Sequence, residues 1–460
     1  MFFRTRTAIA SLCLVIVGLI LFQGYLPQDD CGRHAAKAVS THSWNEILLL
    51  AQPLPLDVQW GWERLLHFVY LLTGCSVTTL MIGSLTCLFT LFVVIPAGML
   101  KRPEAWLLAL ALSLCLTNTA DRLLLGRPFV FTMAMVAIVL LSAAYQAPSR
   151  KLTILLAGAI GSACLLHGLW HLWLLVIFAF LVARQWAWAQ AITVSWVSGT
   201  IIASVCTLHP VEFLLLPLQL TVKVAQAYAP YNLKAMELLP IPPAAIFYPL
   251  ILILLGFLRS KCKSAASWVD SPAFWLVVVG WGLGCYMGRF WSDWGFPAWL
   301  VLIALELERY LESHATRFSK LTVLVLAGIL LLIAYTLPAR GHWYAYKEPF
   351  PDLQHQMLGE WQPGTGHIIY SPETSLFYQS IRLFPNGDWR YAVGFEPALM
   401  PANDFATLMA ILQNQGNPLT FDYWLKQMQP GDLLIIRDPK PAGTGLTWKH
   451  CDGYWLGRKP

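Results

Sequence analysis

The sequence predicts a polytopic α-helical membrane protein with a small α/β domain at its C-terminal end. Three observations carry that expectation. Of 460 residues, 57% are hydrophobic and 12% charged, about half the charged share of a soluble domain, and the mean hydropathy is +0.57. Long apolar runs recur as far as Pro338. The basic residues fall at alternate ends of those runs, the asymmetry that marks cytoplasmic loops.

Eleven segments read as spans: about 8–26, 76–98, 104–118, 130–146, 152–167, 172–187, 190–208, 243–258, 272–288, 296–313 and 320–338. Several fall short of the roughly 20 residues that a straight span needs, so their ends extend into flanking polar residues. The first follows the basic start MFFRTR and lacks a small-residue cleavage site, so it reads as a retained span rather than a signal peptide. Arg4, Arg6, Lys101, Arg102, Arg150, Lys151, Arg184, Arg259, Lys261, Lys263, Arg317 and Lys320 all fall on one side. The N-terminus is therefore expected in the cytoplasm, and an odd number of spans puts the tail outside. The expected division is a transmembrane domain over 1–341 and a soluble domain outside the membrane over 342–460, in the bacterial inner (plasma) membrane and periplasm if the resemblance given below holds.

The formal charge of +6 does not indicate nucleic acid, because the cations are sorted by membrane side rather than clustered into a phosphate-binding patch. The 21 tryptophans and 16 tyrosines suit interfacial belts and aromatic cavities. Ten cysteines show no C-x-x-C pair and no ligand spacing, and most lie in apolar runs as small buried hydrophobes. Cys31 and Cys451 fall outside the spans on the same side, where a bond between them is allowed but not required.

The first outer loop, about 27–75, ends in LPLDVQWGWERLLHFVYLLTG, where Trp62, Leu65, Leu66, Val69 and Tyr70 recur at helical spacing and predict an amphipathic helix at the interface. Another interfacial helix is expected in the outer loop of about 209–242. In the tail, HIIY and LLIIR read as short strands between glycine and proline turns, and FDYWLKQMQPGD reads as a helix stopped by Pro430 and Gly431.

Ionisable residues near membrane depth mark cavities, pairs or pathways. Asp57 and Asp121 lie immediately before or between spans, each near an arginine, and Asp57 also near His67. Arg122, Arg127 and Arg289 occupy the side that is normally poor in cations. Guanidinium forks match phosphate oxygens, so these arginines suit a phosphate or diphosphate. Snorkelling, or pairing with Asp121 and Asp293, explains them equally well. His167 and His171 in HGLWHLW are four apart and would share a helical face. That spacing suits a metal, but no further ligand set follows, and substrate contact or interfacial packing fits better.

In architecture the chain resembles the GT-C superfamily of integral membrane glycosyltransferases: an acid before an amphipathic helix in the first outer loop, many spans, and an outer C-terminal domain. The segments DRLLLGRPFVFTMAMVAIVL, HGLWHLWLLVIFAF and GRFWSDWGFPAWLV further resemble a bacterial branch of that superfamily, as does the tail segment FYQSIRLFPNGDWRYAVGFEPALMPANDFATLMAILQNQG. The resemblance implies transfer of a sugar from a polyprenyl-phosphate donor to a glycan, lipid or protein acceptor outside the cytoplasm. It implies a catalytic or metal-binding acid in the first outer loop. Asp57 is the matching position, although Val58 follows it where the usual motif has a second acid, and Asp29 and Asp30 compete for the role.

On that resemblance Asp57 is the base and Arg122, Arg127 and Arg289 hold the lipid phosphate, aligned by Asp121. His67, His167 and His171 are substrate contacts, and Trp170 and Tyr231 line the cavity. No metal ligand set is assigned, and the cofactor stays open between none and a divalent cation such as Mg or Mn. Two other functions fit the same charges: a non-catalytic scaffold or partner subunit of an envelope glycan assembly, and a transporter of lipid-linked sugars.

Overall fold

The computed structural model describes residues 2–22, 27, 30–116, 120–228, 239–260, 268–314, 319–336, 361–414, 417–437, 440, 444–451 and 453–460. Its helices up to residue 336 are α1 (Phe2–Phe22), α2 (Asp30–Val39), α3 (Trp44–Ile47), α4 (Trp60–Thr73), α5 (Val77–Met99), α6 (Pro103–Leu116), α7 (Ala120–Leu123), α8 (Phe129–Tyr145), α9 (Arg150–His167), α10 (Trp173–Val182), α11 (Trp186–Cys206), α12 (Pro210–Tyr228), α13 (Phe247–Ser260), α14 (Pro272–Gly284), α15 (Gly288–Phe290), α16 (Phe296–Ser313) and α17 (Lys320–Thr336). A helix forms at every segment predicted to span. Three of them, α5, α9 and α11, are long and apolar enough to cross a membrane by themselves, while seven other apolar helices among the described residues are shorter. The ten residues of α10 rise only about 15 Å, half of a hydrocarbon layer.

Hydrophobic character without polar periodicity makes these helices pack on all sides or face an apolar surround. Ile154, Leu155, Val194, Ile201, Ile202 and Val205, on α9 and α11, remain exposed, as a lipid-facing surface requires. The same two helices touch backbone to backbone where Gly161 meets Gly199: a Cβ on either would lie under 3 Å from the other's backbone.

Buried charge gathers at two levels of this bundle. At one, Arg102 pairs with Glu104 and donates its backbone N–H to Glu308 at 2.9 Å, and Tyr145 donates to the same Glu308. At the other lie α2, α4, the turn around Arg127, and Asp293. Following α8 from Phe129 to Tyr145, or α16 and the turn before it from Asp293 to Glu308, the two levels are about 22–24 Å apart at 1.5 Å per residue. The layer between them is uncharged helix.

Two interfacial expectations hold as helices, one with a different facing. α12 occupies the proline-rich outer segment. α4 buries Trp62 and Leu66, whereas Leu65, Phe68, Val69, Leu71 and Leu72 are exposed, so a second apolar stripe is left uncovered by protein.

The tail folds as an α/β unit. β1 (Ile368–Tyr370), β2 (Arg390–Tyr391), β3 (Leu433–Arg437), β4 (Thr447–Cys451) and β5 (Tyr454–Arg458) form one sheet in the order β2-β1-β3-β5-β4, parallel at β2-β1-β3 and antiparallel from β3 to β4. The segments HIIY and LLIIR are strands as expected, and helix Asp422–Gln427 stops before Pro430. Successive residues of a strand face opposite sides, and β3 divides accordingly. Leu434 and Ile436 pack on Trp424, Leu408 and Met428, while Leu433 and Ile435 join the core that continues into the helical bundle. Cys31 and Cys451 are separate buried thiols.

The tail is seated on the segment between α3 and α4. Leu48 makes a parallel bridge to Tyr391, Leu49 N–H donates to Tyr391 O at 2.9 Å, Ala51 N–H donates to Leu399 O at 2.9 Å, and Arg390 Nη2 donates to Leu48 O at 3.0 Å. The loop thus adds one extended segment beyond β2 and covers that sheet edge.

Candidate functional site

The second charged level of the bundle is built from five stretches far apart in sequence. α2 supplies Asp30, Arg33 and His34; the turn into α4 supplies Asp57 and Gln59, and α4 itself Glu63; α7 supplies Arg122 and the turn after it Arg127; α9 ends on His167; and α15 supplies Arg289, with Asp293 in the π-helical turn before α16. α2 packs between α4, α5 and the tail helix Thr374–Leu383, and all but two of its ten residues are buried. The π-helical turn Trp291–Gly295 carries Asp293, whose side chain is wholly buried; such turns interrupt a helix to re-aim side chains.

Arg33 is the hub. Its Nη1 donates to Asp57 Oδ2 at 2.7 Å, its Nε to Asp30 Oδ1 at 3.1 Å, and its Nη2 to Gln59 Oε1 and His34 Nε2, both at 3.1 Å. Glu63 Oε1 lies 3.2 Å from His34 Nδ1 and 3.8 Å from Arg33 Nη1. Asp30 also pairs with Arg127 and accepts from Tyr378 Oη of the tail at 3.0 Å. The ring of Phe395, again from the tail, lies 4.1 Å from the Arg33 guanidinium carbon. The tail therefore roofs the cluster, and 6% of Asp57 is exposed.

Burial and neighbours set the protonation states. Burial is the largest single influence on Asp57 and opposes its ionisation, but the Arg33 charge and the hydrogen bonds around the carboxyl together hold it below its usual range. Glu63 is pushed well above its usual value by burial and by the Asp57 charge. His34 is driven down to about 3, first by burial and then by Arg33, and is neutral.

A second group adjoins this one. Asp293 takes Arg122 Nε at 2.8 Å and Nη2 at 2.7 Å on one oxygen, and Arg289 Nε at 3.3 Å on the other. Both Arg122 and Arg127 lie over the ring of Phe129, at 4.2 and 5.5 Å. Gly126, with φ of +64°, turns the chain between the two arginines; a Cβ there would strike Cys31 Sγ at 2.8 Å, so the turn sits directly on α2. Two guanidiniums thus meet on one buried carboxylate. Arg122 and Arg289 keep 16% and 24% of their side-chain surface exposed, enough to reach a ligand.

Of the residues predicted from sequence, Asp57, Arg122, Arg127 and Arg289 are brought to this one region, and His167 borders it. His167 is buried, with Nδ1 3.1 Å from Thr132 Oγ1, and it stacks obliquely on Phe129. Gly168, with φ of +78°, ends α9 at that point, and its missing side chain lets Val58 O approach where a Cβ would stand 2.1 Å away. The helix break corrects the expectation that His167 and His171 share a face: His171 lies in a separate short turn against Trp170, which stacks on Trp196.

His67 is not beside Asp57. Its Nδ1 is 2.6 Å from Ala38 O, at the other end of α2, so the histidine next to the acid is His34. The Asp121 side chain, Asp29 and Tyr231 lie outside the described residues. Sequence reading missed Arg33, His34 and Gln59 as partners of Asp57. The signal available was the polar group DCGRH at the start of α2, between the first two spans.

His34, Asp57 and Glu63 bring ligand atoms within 4.8 Å of one another, all buried, as a metal ion would need. They do not fit a divalent ion as they stand, because Arg33 already bonds Asp57 and His34 and lies close to Glu63. No known protein family and no characterised protein sequence matches this chain.

Proposed function

We propose that the chain is an integral membrane glycosyltransferase of the GT-C kind, moving a sugar from a polyprenyl-phosphate donor to an acceptor hydroxyl on the periplasmic side of a bacterial inner membrane. The observation that supports this most is the convergence of Asp57, Arg122, Arg127, Arg289 and Asp293 from separate stretches onto one end of an apolar helical bundle. On this reading all eleven apolar helices span, the shorter ones completed by polar flanks, with the N-terminus inside and the tail outside.

In the proposed reaction the acceptor oxygen forms the new glycosidic bond, the bond between the sugar and the phosphate breaks, and the phosphate leaves with the electron pair on its lipid. The hydroxyl proton goes to Asp57, which Arg33 keeps ionised and oriented. Arg122 and Arg289, both bonded to Asp293 and both partly exposed, are the groups assigned to the charge that grows on the leaving phosphate. No step is assigned to a metal.

One observation favours a second reading, a binding or scaffold subunit: Asp57 is enclosed and ion-paired beneath Phe395 and Tyr378. On the transferase reading the tail must shift for an acceptor to reach it. Reconstitution of the purified chain with labelled polyprenyl-phosphate sugars and a panel of acceptors separates the two. The transferase reading expects labelled product, and a loss of at least about a hundredfold in Asp57→Asn, the lower end of what a positioned acid–base group contributes. Equal product from wild type and variant would return Asp57 to a structural role.

A further inference from the structure

The tail helix Thr374–Leu383 lays its polar face on α2. With about 100° between successive residues, Tyr378, Gln379 and Arg382 fall within about 100° of arc, and Tyr378 Oη donates to Asp30 Oδ1 at 3.0 Å. A Cβ on Gly32 would lie 3.8 Å from Arg382 Cδ and 3.6 Å from Met81 Cε. The arginine stem therefore crosses α2 beside the first turns of α5.

Tyr378 is satisfied there, and its two neighbours are not. Arg382 is partly buried, with its Nε enclosed, and makes no hydrogen bond or ion pair with any described residue. Gln379 is 5% exposed, and its Oε1 is enclosed and equally unbonded. Burial by itself lowers the pKa of Arg382, with no acid acting against it. Asp30, two residues before Gly32, is bonded to Arg33, Arg127 and Tyr378. An enclosed guanidinium without an opposite charge is costly, and so is an enclosed amide without a hydrogen bond. A ligand carrying both an anionic oxygen and hydroxyl groups would satisfy the two together.

Depth identifies its source. α5 is long and apolar enough to cross a membrane, and Met81 lies only about 6 Å along the axis from Val77, where that helix begins. This end of α5 belongs to the same charged level as α2: Cys31 Sγ is 3.9 Å from Met81 O, and a Cβ on Gly126 would lie 3.2 Å from Leu85 N. Arg382 thus stands near the edge of the hydrocarbon layer, at the depth of lipid headgroups.

We propose that Arg382 and Gln379 bind the headgroup of an anionic phospholipid, the guanidinium taking the phosphate and the amide a headgroup hydroxyl, so that one lipid fastens the tail helix to α2 and α5. The site is separate from the pair Arg122 and Arg289. It requires that α5 cross the bilayer, and it stands whatever reaction the chain performs.

The test is thermal unfolding of the purified full-length chain in neutral detergent with added phosphatidylglycerol, phosphatidylcholine or inorganic phosphate. A ligand that binds only the folded chain raises the midpoint. Phosphatidylglycerol should raise the wild-type midpoint more than phosphatidylcholine does. Arg382→Met, which keeps the stem and removes the charge, should lose most of that difference and should bind phosphatidylglycerol about tenfold more weakly by native mass spectrometry. Without anionic lipid the same variant should be at least as stable as wild type, because the uncompensated charge is gone. Gln379→Leu should reduce the phosphatidylglycerol advantage by a smaller amount.

An advantage of wild-type size in both variants would overturn the proposal. So would an equal rise with inorganic phosphate at the same phosphate concentration, which would mean an ion site only. An Arg382→Met chain that fails to fold without anionic lipid would overturn it too, since the protein itself would then need the charge. Equal loss of polyprenyl-phosphate binding in that variant would merge the site with the one assigned to Arg122 and Arg289. Absence of transferase activity would count against the reaction alone.

Discussion

At the scale of single residues, each charged group is defined by a partner distant in sequence. Arg122 and Arg289 both reach Asp293, a contact that crosses 171 residues for Arg122. If they serve a lipid phosphate, Arg122→Ala and Arg289→Ala should each weaken polyprenyl-phosphate binding, since a charge-assisted hydrogen bond contributes about 1.5–3 kcal/mol, about ten- to a hundredfold in Kd. Titration calorimetry or native mass spectrometry on monodisperse protein reads this directly, and unchanged affinity in well-folded variants would reduce both arginines to clasps for Asp293. The residue types were legible in the sequence, because the positive-inside rule makes an arginine on the side expected to be outer stand out. Their pairings were not: nothing in the spacing of Asp57 and His67 says that Arg33 and His34 take the places beside the acid, since those contacts exist only once α2 packs across α4.

At the scale of elements, the stretch from α2 through α4 does two jobs. Its α2 and α4 hold the acid cluster, and residues 48–51 between them pair with the tail. Leu49→Pro removes the N–H that donates to Tyr391 O, so hydrogen exchange and proteolysis should accelerate in the tail while α8, α9 and α16 keep their protection. Equal protection in variant and wild type would show that the seam contributes nothing to seating the tail. Apolar periodicity located the helices well, because burial in lipid or protein writes itself into every turn. It located α4 correctly and its facing poorly: a stripe at helical spacing does not say whether protein or lipid covers it, and Leu65 and Val69 are left uncovered while Trp62 and Leu66 are buried. The helix break at Gly168 was equally hidden, since a single glycine inside an apolar run is compatible with a continuous helix.

At the scale of the whole molecule, an apolar layer about 22–24 Å deep separates the Arg102–Glu104–Glu308 cluster from the Asp57 and Asp293 clusters, and the tail sits over the latter. The alternation of basic ends along the sequence supplies the expected orientation, which helix packing by itself does not contain. The change of composition near residue 342 precedes the sheet-containing unit described from residue 361 onward, and nothing in the sequence signals that β3 shares a core with the helical bundle. Everything proposed for Asp57 and the arginines depends on their lying on the exported side together with that tail. The most direct measurement is a pair of reporters, one active only after export fused after Pro460 and one active only in the cytoplasm fused at the same position. The account predicts export-dependent activity at Pro460 and none from the cytoplasmic reporter; a cytoplasmic signal there would put the acid and the arginines on the side where polyprenyl-phosphate sugars are not used by this class of reaction, and would contradict it.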